Sequence, residues 1–253
     1  MLTRKRQKEI SSLRRKKGRE ALQQTLIEGW RAVDAALSGN APLVELLVTH
    51  EAAGTDGFDA LRPRIGCPIH EVSATTFSRL SDVDSHQGIL AVSQMPWASA
   101  DAFASFSSVV LLDGVQDPGN VGTIIRTAAW FGIDGVMTSL DSADPLQPKV
   151  VRASMGGVWD VALCRTHLVD TIPILRAAGF DLVGTTLDGT PINAWAPSPK
   201  TALILGSEAN GLSDGVRAAT HRSVKIEGSA DGATESLNVG IAAGILLHKW
   251  QAA

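Results

Sequence analysis

The apolar positions of the first hundred residues outline a compact α/β unit. From Leu13 to Leu37, Leu22, Leu26, Trp30, Val33 and Leu37 recur at three or four residues, a spacing that predicts a helix. The break at Asn40-Ala41-Pro42 ends it, and 43-LVELLVT-49 reads as a strand. A Gly-rich turn, a helix near Asp59–Arg62 and an extended 89-ILAVSQ-94 follow. The stretch 95-MPWASADAFASFSS-108 is rich in Ala and Ser and reads as a linker.

Beyond it the pattern changes. The runs 109-VVLLD-113, 135-GVMTS-139, 181-DLVGTTL-187 and 202-ALILG-206 are almost continuously apolar and are separated by helical segments. Strands of a parallel sheet covered on both faces read this way. A last helix is predicted at about 237–250, with Leu237, Ile241, Ile245 and Leu246 along it. Each strand runs into a loop of Gly, Asp, Asn or Ser, and open parallel sheets bind ligands at the carboxyl ends of their strands. There are no internal repeats.

Composition narrows the class. The chain has 253 residues, 44% of them hydrophobic and 19% charged, which suits one large or two smaller soluble domains. No apolar run approaches the roughly 18–20 residues needed to span a bilayer. Cys67 and Cys164 form no CxxC and read as small buried hydrophobes in a reducing, cytoplasmic setting. The six histidines lack metal-ligand spacing, so no metal is expected. The net charge of −3 hides an asymmetry: residues 1–20 hold nine Lys or Arg against Glu9 and Glu20, leaving the rest of the chain strongly acidic. A basic segment on an acidic body is the footprint of a polyanion partner, although a solvated terminus or an Arg-rich targeting peptide would carry similar charge.

Three strand-end loops are candidates for chemistry. In 116-QDPGNVGTIIR-126, Asn120 suits a helix N-cap. The helix it opens would pack Val121, Ile124, Ile125, Ala128 and Phe131, leaving Arg126 on another face above Gly122 and beside Ala129. That arginine either snorkels to solvent or faces a ligand; the residues alone allow both. The loop 203-LILGSEANGLSD-214 sets Glu208 just past a buried strand, as a ligand group or as part of a turn in which Ser207 or Glu208 caps the next helix. In 224-VKIEGSADGATESLNVG-240, Ser236 and Asn238 stand at a helix start. Gly114–Gly119 has P-loop spacing, but Asn120 occupies the lysine position. Neither G-x-G-x-x-G after the strand nor G-x-S-x-G is present.

Together the three loops resemble the three motifs of the SpoU/TrmH family of RNA 2′-O-ribose methyltransferases, in the SPOUT superfamily. Asn120, Gly122 and Arg126 in NVGTIIRTA match the first, LILGSEANGLS the second and ESLNVGIAAGI the third, in the right order. The segment 149-KVVRASMGGVWDV-161 resembles the family's connecting segment. At the amino terminus, residues 9–37 and 86-HQGILAV-92 resemble the substrate-binding domain of many such enzymes.

The resemblance implies an α/β fold with a carboxyl-terminal parallel-sheet domain tied in a trefoil knot. A smaller α/β substrate-binding domain would precede it: residues 1–97 for RNA binding, a linker at 98–107, and the methyltransferase domain at 108–253. It implies S-adenosylmethionine as cofactor, held by backbone groups of Gly206, Ile226 and Leu237. Arg126 would be the base or would fix the neighbouring phosphate. Asn120 would orient the ribose or Arg126, Glu208 would hold the loops, and Ser236 and Asn238 would shape the pocket. A homodimer is implied, with structured RNA as partner: rRNA, 23S above all, or tRNA. A non-catalytic RNA-binding protein on the same scaffold is the alternative. The chain departs from the family at Ile226-Glu227, where Ile-Pro is usual, and the loop 227–235 is longer.

Overall fold

The structure, a computed structural model, describes residues 2–229 and 235–252. They fall into two compact units, Met1–Pro96 with Leu146–Asp160, and Trp97–Pro145 with Val161–Ala253. Among the described residues no helix is long and apolar enough to cross a membrane.

A strand occupies the middle of the segment read as one helix. The first unit runs α1 (Arg4–Ser12), α2 (Lys16–Leu22), β1 (Gln24–Glu28), α3 (Trp30–Ser38), β2 (Leu43–Thr49), α4 (His50–Ala53), α5 (Asp56–Leu61), β3 (Ile69–Val72), α6 (Ala74–Leu80) and β4 (Ile89–Gln94). Gln23, left-handed at φ 52°, closes α2, and Gly29 at φ 96° separates β1 from α3. Between those breaks Thr25 and Ile27 bring β-branched side chains that favour an extended backbone. Leu22, Leu26 and Trp30 are four apart, and four residues is two strand repeats as well as about one helical turn. The spacing could not choose. The helix expected near Asp59 is α5, continued by a 3₁₀ turn at Arg62–Arg64.

The sheet order is β1-β4-β2-β3, antiparallel except for the β2–β3 pair. Its core gathers Ile10, Leu13, Leu26, Leu47, Phe77 and Leu90. Glu28 is buried, but its carboxylate accepts hydrogen bonds from the Ser81 hydroxyl and the Asp82 amide, 3.0 Å away. Arg152 stands 3.8 Å from Glu28 and 3.1 Å from Asp82, so the buried charge is compensated. Cys67 is half-buried, not fully buried as expected, while Cys164 is buried; burial raises the pKa of both thiols.

The second unit runs β5 (Ser108–Asp113), α7 (Pro118–Trp130) and β6 (Gly135–Ser139). The chain then supplies α8 (Pro148–Ser154) and α9 (Gly157–Asp160), which belong to the first unit, where Thr25 Oγ1 donates to the Leu146 carbonyl at 2.6 Å. It continues with β7 (Ala162–Thr166), α10 (Leu168–Ala177), β8 (Asp181–Pro191), β9 (Thr201–Gly206), α11 (Asp214–Ala219), β10 (Arg222–Lys225) and α12 (Val239–Gln251). Helix α12 begins at Val239, so Leu237 lies outside it.

Six strands make one parallel sheet in the order β10-β8-β9-β5-β6-β7. β5, β6 and β9 are buried along almost their whole length, which is why they read as unbroken apolar runs. The Ala- and Ser-rich stretch forms a 3₁₀ helix at Ala100–Ser105 that seats Phe103 in the sheet's core beside Leu111, Met137 and Ile204. Full burial of such a ring contributes about 1.5–3 kcal/mol. Wound outward in both directions from β5 and β9, the sheet places the loops after these two strands side by side, with Asp113 paired to Gly206.

Candidate active site

The loop after β5 is held by its neighbours before it holds anything else. Gly114 N donates to Ser139 Oγ and Val115 N to Ser142 Oγ, both at 3.0 Å, and Ser142 Oγ returns a bond to the Leu112 carbonyl at 2.9 Å. Helix α7 then opens at Asp117, not at Asn120. The Asp117 carboxylate accepts from Asn120 N at 2.8 Å, and Pro118 fills the first helical position, where a missing N–H costs nothing. Asp117→Ala should therefore cost about 1 kcal/mol. The check is a lower urea midpoint with an unchanged denaturant slope.

With its backbone serving the helix, the Asn120 side chain is free for other partners. Asn238 caps α12, its Oδ1 accepting from Gly240 N at 3.0 Å and Ile241 N at 3.3 Å. Its Nδ2 therefore faces outward and donates to Asn120 Oδ1 at 3.0 Å. Asn120 must then present its own Nδ2 to the far side, where Glu208 Oε1 accepts it. An amide has one accepting and one donating end, so the α12 cap fixes the orientation of both asparagines. Residues from all three candidate loops are joined in one directed series ending on a carboxylate.

The Glu208 loop is shaped by close backbone approach. Ser207 and Gly211 exchange backbone hydrogen bonds at 3.0 and 2.9 Å, and Ser207 Oγ accepts from Asn210 N at 3.1 Å. A Cβ on Gly206 would lie 2.3 Å from the Gly211 carbonyl carbon and 2.5 Å from its oxygen, so only glycine fits there. The α11 cap is Ser213, neither Ser207 nor Glu208, and its amide donates to the buried Asp113 carboxylate at 2.7 Å.

Between these loops lies a cleft of about 390 Å³, lined by Asp113, Gly114 and Gln116 on one side, Ser207–Gly211 and Ser213 on the other, and Asp141. Three carboxylates and no lysine or arginine line it, so its field favours a cationic ligand. Asp113, Gln116, Asp141 and Asp117 were not singled out by sequence reasoning. Asp113 carried a usable signal, as the one charged residue closing the apolar run VVLLD.

Arg126 lies on the exposed side of α7, roughly 9 Å further along the helix than Asn120 at 1.5 Å per residue. It makes no hydrogen bond or ion pair with any described residue, while Val121, Ile124, Ile125 and Ala128 take the buried stripe and Phe131 is half-buried. Ser236 and Leu237 are exposed, and Ile226 is half-buried at the end of β10. The structure thus joins Asn120, Glu208 and Asn238, with Gly206 two residues from Glu208, and brings neither Arg126 nor Ser236 into bonding contact with them. Residues 230–234 of the loop read as longer than usual lie outside the described residues.

A six-stranded parallel sheet with a polar site built from three loops at its switch point is the ligand-binding arrangement of an open α/β fold. Residues 107–248 match the SpoU rRNA Methylase family, and residues 5–91 match the MRM3-like substrate binding domain. The chain belongs to the SpoU rRNA methylase family and is a methyltransferase of it. It is 32% identical to the 23S rRNA (guanosine(2553)-2′-O)-methyltransferase RlmP of Bacillus subtilis, over 95% of this chain and 94% of that one. Among solved structures, a putative RNA methyltransferase of the TrmH family from Porphyromonas gingivalis superposes with a TM-score of 0.85 at 35% identity, covering 99% of this chain and 98% of the other. The SpoU methyltransferase AviRb from Streptomyces viridochromogenes, solved with the cofactor AdoMet, gives 0.87 at 25% identity with the same coverage.

Proposed function

We propose that this chain is a cytoplasmic, S-adenosylmethionine-dependent methyltransferase that methylates a ribose 2′-hydroxyl in rRNA. The observation that carries the proposal is the Asn238–Asn120–Glu208 series, which ties three separate loops together at the carboxyl edge of β5 and β9. The relative that methylates a guanosine 2′-oxygen in 23S rRNA supports the choice of reaction and of RNA class. AdoMet bound to a neighbour of nearly the same fold supports the cofactor.

The residues present fit that cofactor. The carboxylates of Asp113, Asp141 and Glu208 suit a sulfonium, and the glycine-dependent turn at Gly206 shapes the loop that walls the cleft. Gly206, Ile226 and Leu237 would hold the adenine and methionine parts through their backbone. When bound, the cofactor supplies an electrophilic methyl group.

The chain's own side chains must position the ribose and handle its proton. A 2′-hydroxyl is a weak nucleophile that gains from alignment and from loss of its proton to a base. Arg126, with no partner among the described residues, fixes the phosphate next to the target ribose. Its positive charge stabilises the oxyanion that develops as the hydroxyl proton passes to solvent water. Asn120 orients the ribose, Glu208 fixes Asn120, and Ser236 and Asn238 shape the wall around them. Two copies form a homodimer: Ile241 and Ile245 on α12, Leu237 before it and Trp130 at the end of α7 leave apolar side chains exposed, Trp130 to 84%. The carboxyl-terminal chain is threaded as a trefoil knot, as in the superfamily this sequence resembles.

The test is methyl transfer from labelled S-adenosylmethionine to unmodified total RNA, afterwards separated into rRNA and tRNA. Label concentrated in 23S rRNA is expected. Label confined to tRNA would overturn the assignment of RNA class and keep the chemistry. Absence of cofactor binding would overturn the enzyme reading in favour of a non-catalytic RNA-binding protein.

A further inference from the structure

The nine basic residues near the amino terminus do not share one job. Arg6 is used structurally: it bonds Glu45 and Gln24 and pairs with Glu9 at 3.0 Å, which neutralises it. Arg19 is only 2% exposed, and its guanidinium donates to the Leu13 and Arg14 carbonyls at 3.1 and 3.3 Å, closing the end of α1. Gly18 makes that turn possible, since a Cβ there would lie 2.1 Å from the Ser12 carbonyl oxygen. The α1–α2 corner is therefore a fixed turn.

On that turn Arg14, Arg15, Lys16 and Lys17 follow one another, all exposed. The Arg14 guanidinium is braced by the Ser11 and Ser81 carbonyls and the Ser11 hydroxyl at 2.9–3.2 Å, contacts that set its direction without cancelling its charge. Arg15 and Lys17 have no ion pair with any described residue. Lys16 reaches Glu20 at 3.7 Å, with both side chains about half exposed, a pair of small energetic weight. Exposed Arg79 stands alongside, its carbonyl bonded by Ser11 Oγ at 3.4 Å. Holding five like charges together opposes folding by self-repulsion, and a polyanion relieves it.

We infer that this corner is the docking surface for an RNA sugar-phosphate backbone, made by Arg14, Arg15, Lys16, Lys17 and Arg79, with Arg6 and Arg19 building it and not touching RNA. The inference rests on the reading that the chain acts on RNA. Phosphate contacts position a nucleic acid without reading its sequence, so the corner sets affinity and approach, and the site on the second unit sets the reaction.

The test uses the full chain and rRNA, with binding measured from 50 to 300 mM KCl. The variant R14Q/R15Q/K16Q/K17Q should lower the slope of log affinity against log salt by about 3, at about 0.7–0.9 per lost phosphate contact, and weaken binding at least 100-fold near 0.1 M salt. For methyl transfer, KM should rise at least about 10-fold with kcat nearly constant, since a docking contact acts before the chemical step. A control lacking four cations elsewhere, R31Q/R62Q/K149Q/K249Q, should lose much less. Should the quadruple variant fail to fold, R15Q/K17Q, which touches no bonded side chain, should lower the slope by about 1.5. Equal losses in variant and control, or an unchanged slope, would overturn the inference while parental RNA binding leaves the function standing. A parent that binds no RNA would overturn both. Loss of binding to phosphatidylglycerol vesicles with RNA binding intact would make the corner a membrane contact and overturn the inference.

Discussion

Arg126→Ala should lower kcat for methyl transfer by about 10²- to 10⁴-fold, the range seen when a proton-handling or oxyanion-stabilising group is removed. Its fold should be untouched. The guanidinium is exposed, bonds no described residue and projects from a helix whose packing rests on Val121, Ile124, Ile125 and Ala128, so alanine leaves no cavity and no orphaned partner. The melting temperature should stay within about 2 °C of the parent, in keeping with the small effects of surface substitutions. Affinity for S-adenosylmethionine should stay within about twofold. Arg126→Lys keeps the charge but loses the planar fork that grips a phosphate, and its rate should fall between the two. A large loss of stability in Arg126→Ala would make the arginine a structural residue and remove its assigned role.

Gly206→Ala is the second large effect, and it acts through the backbone. The new Cβ would press on Gly211 C, Gly211 O and Leu212 N at 2.3–2.6 Å, all main-chain atoms that cannot swing aside. The loop 207–211 must open, breaking the paired Ser207–Gly211 bonds and moving Glu208, which is bonded to Asn120. Overpacking of this kind costs about 1–3 kcal/mol. Cofactor affinity, measured by calorimetry, should fall at least about 100-fold, as the same loop walls the cleft. Parent-like affinity would show that the cofactor does not depend on this turn.

Legibility followed the strength of local signals. β5, β6 and β9 were readable because both faces are buried and the apolar run is unbroken. β3, β7 and β10 were not, because 69-IHEV-72, 162-ALCRT-166 and 222-RSVK-225 are short and mixed, and sheet edges leave polar side chains room. The strand at Gln24–Glu28 was lost to a spacing that suits helix and strand alike. At the site, Asp117-Pro118 outcompeted Asn120 for the cap, a contest decided by which side chain reaches the third amide on. That choice released Asn120 to bond Glu208, 88 residues away, and Asn238, 118 residues away. Separations of that length leave no trace in local patterning. Motif order pointed to the three loops, and only the fold shows that they meet.

The most direct measurement is of where the methyl group goes. RNA labelled by the parent chain is digested to nucleosides and separated, with RNA treated by Arg126→Ala alongside. Ribose methylation assisted by Arg126 predicts label in a 2′-O-methylnucleoside, at a backbone position resistant to alkaline cleavage, and almost none from the variant. Label in a base-methylated nucleoside, or parental yield from Arg126→Ala, would contradict it.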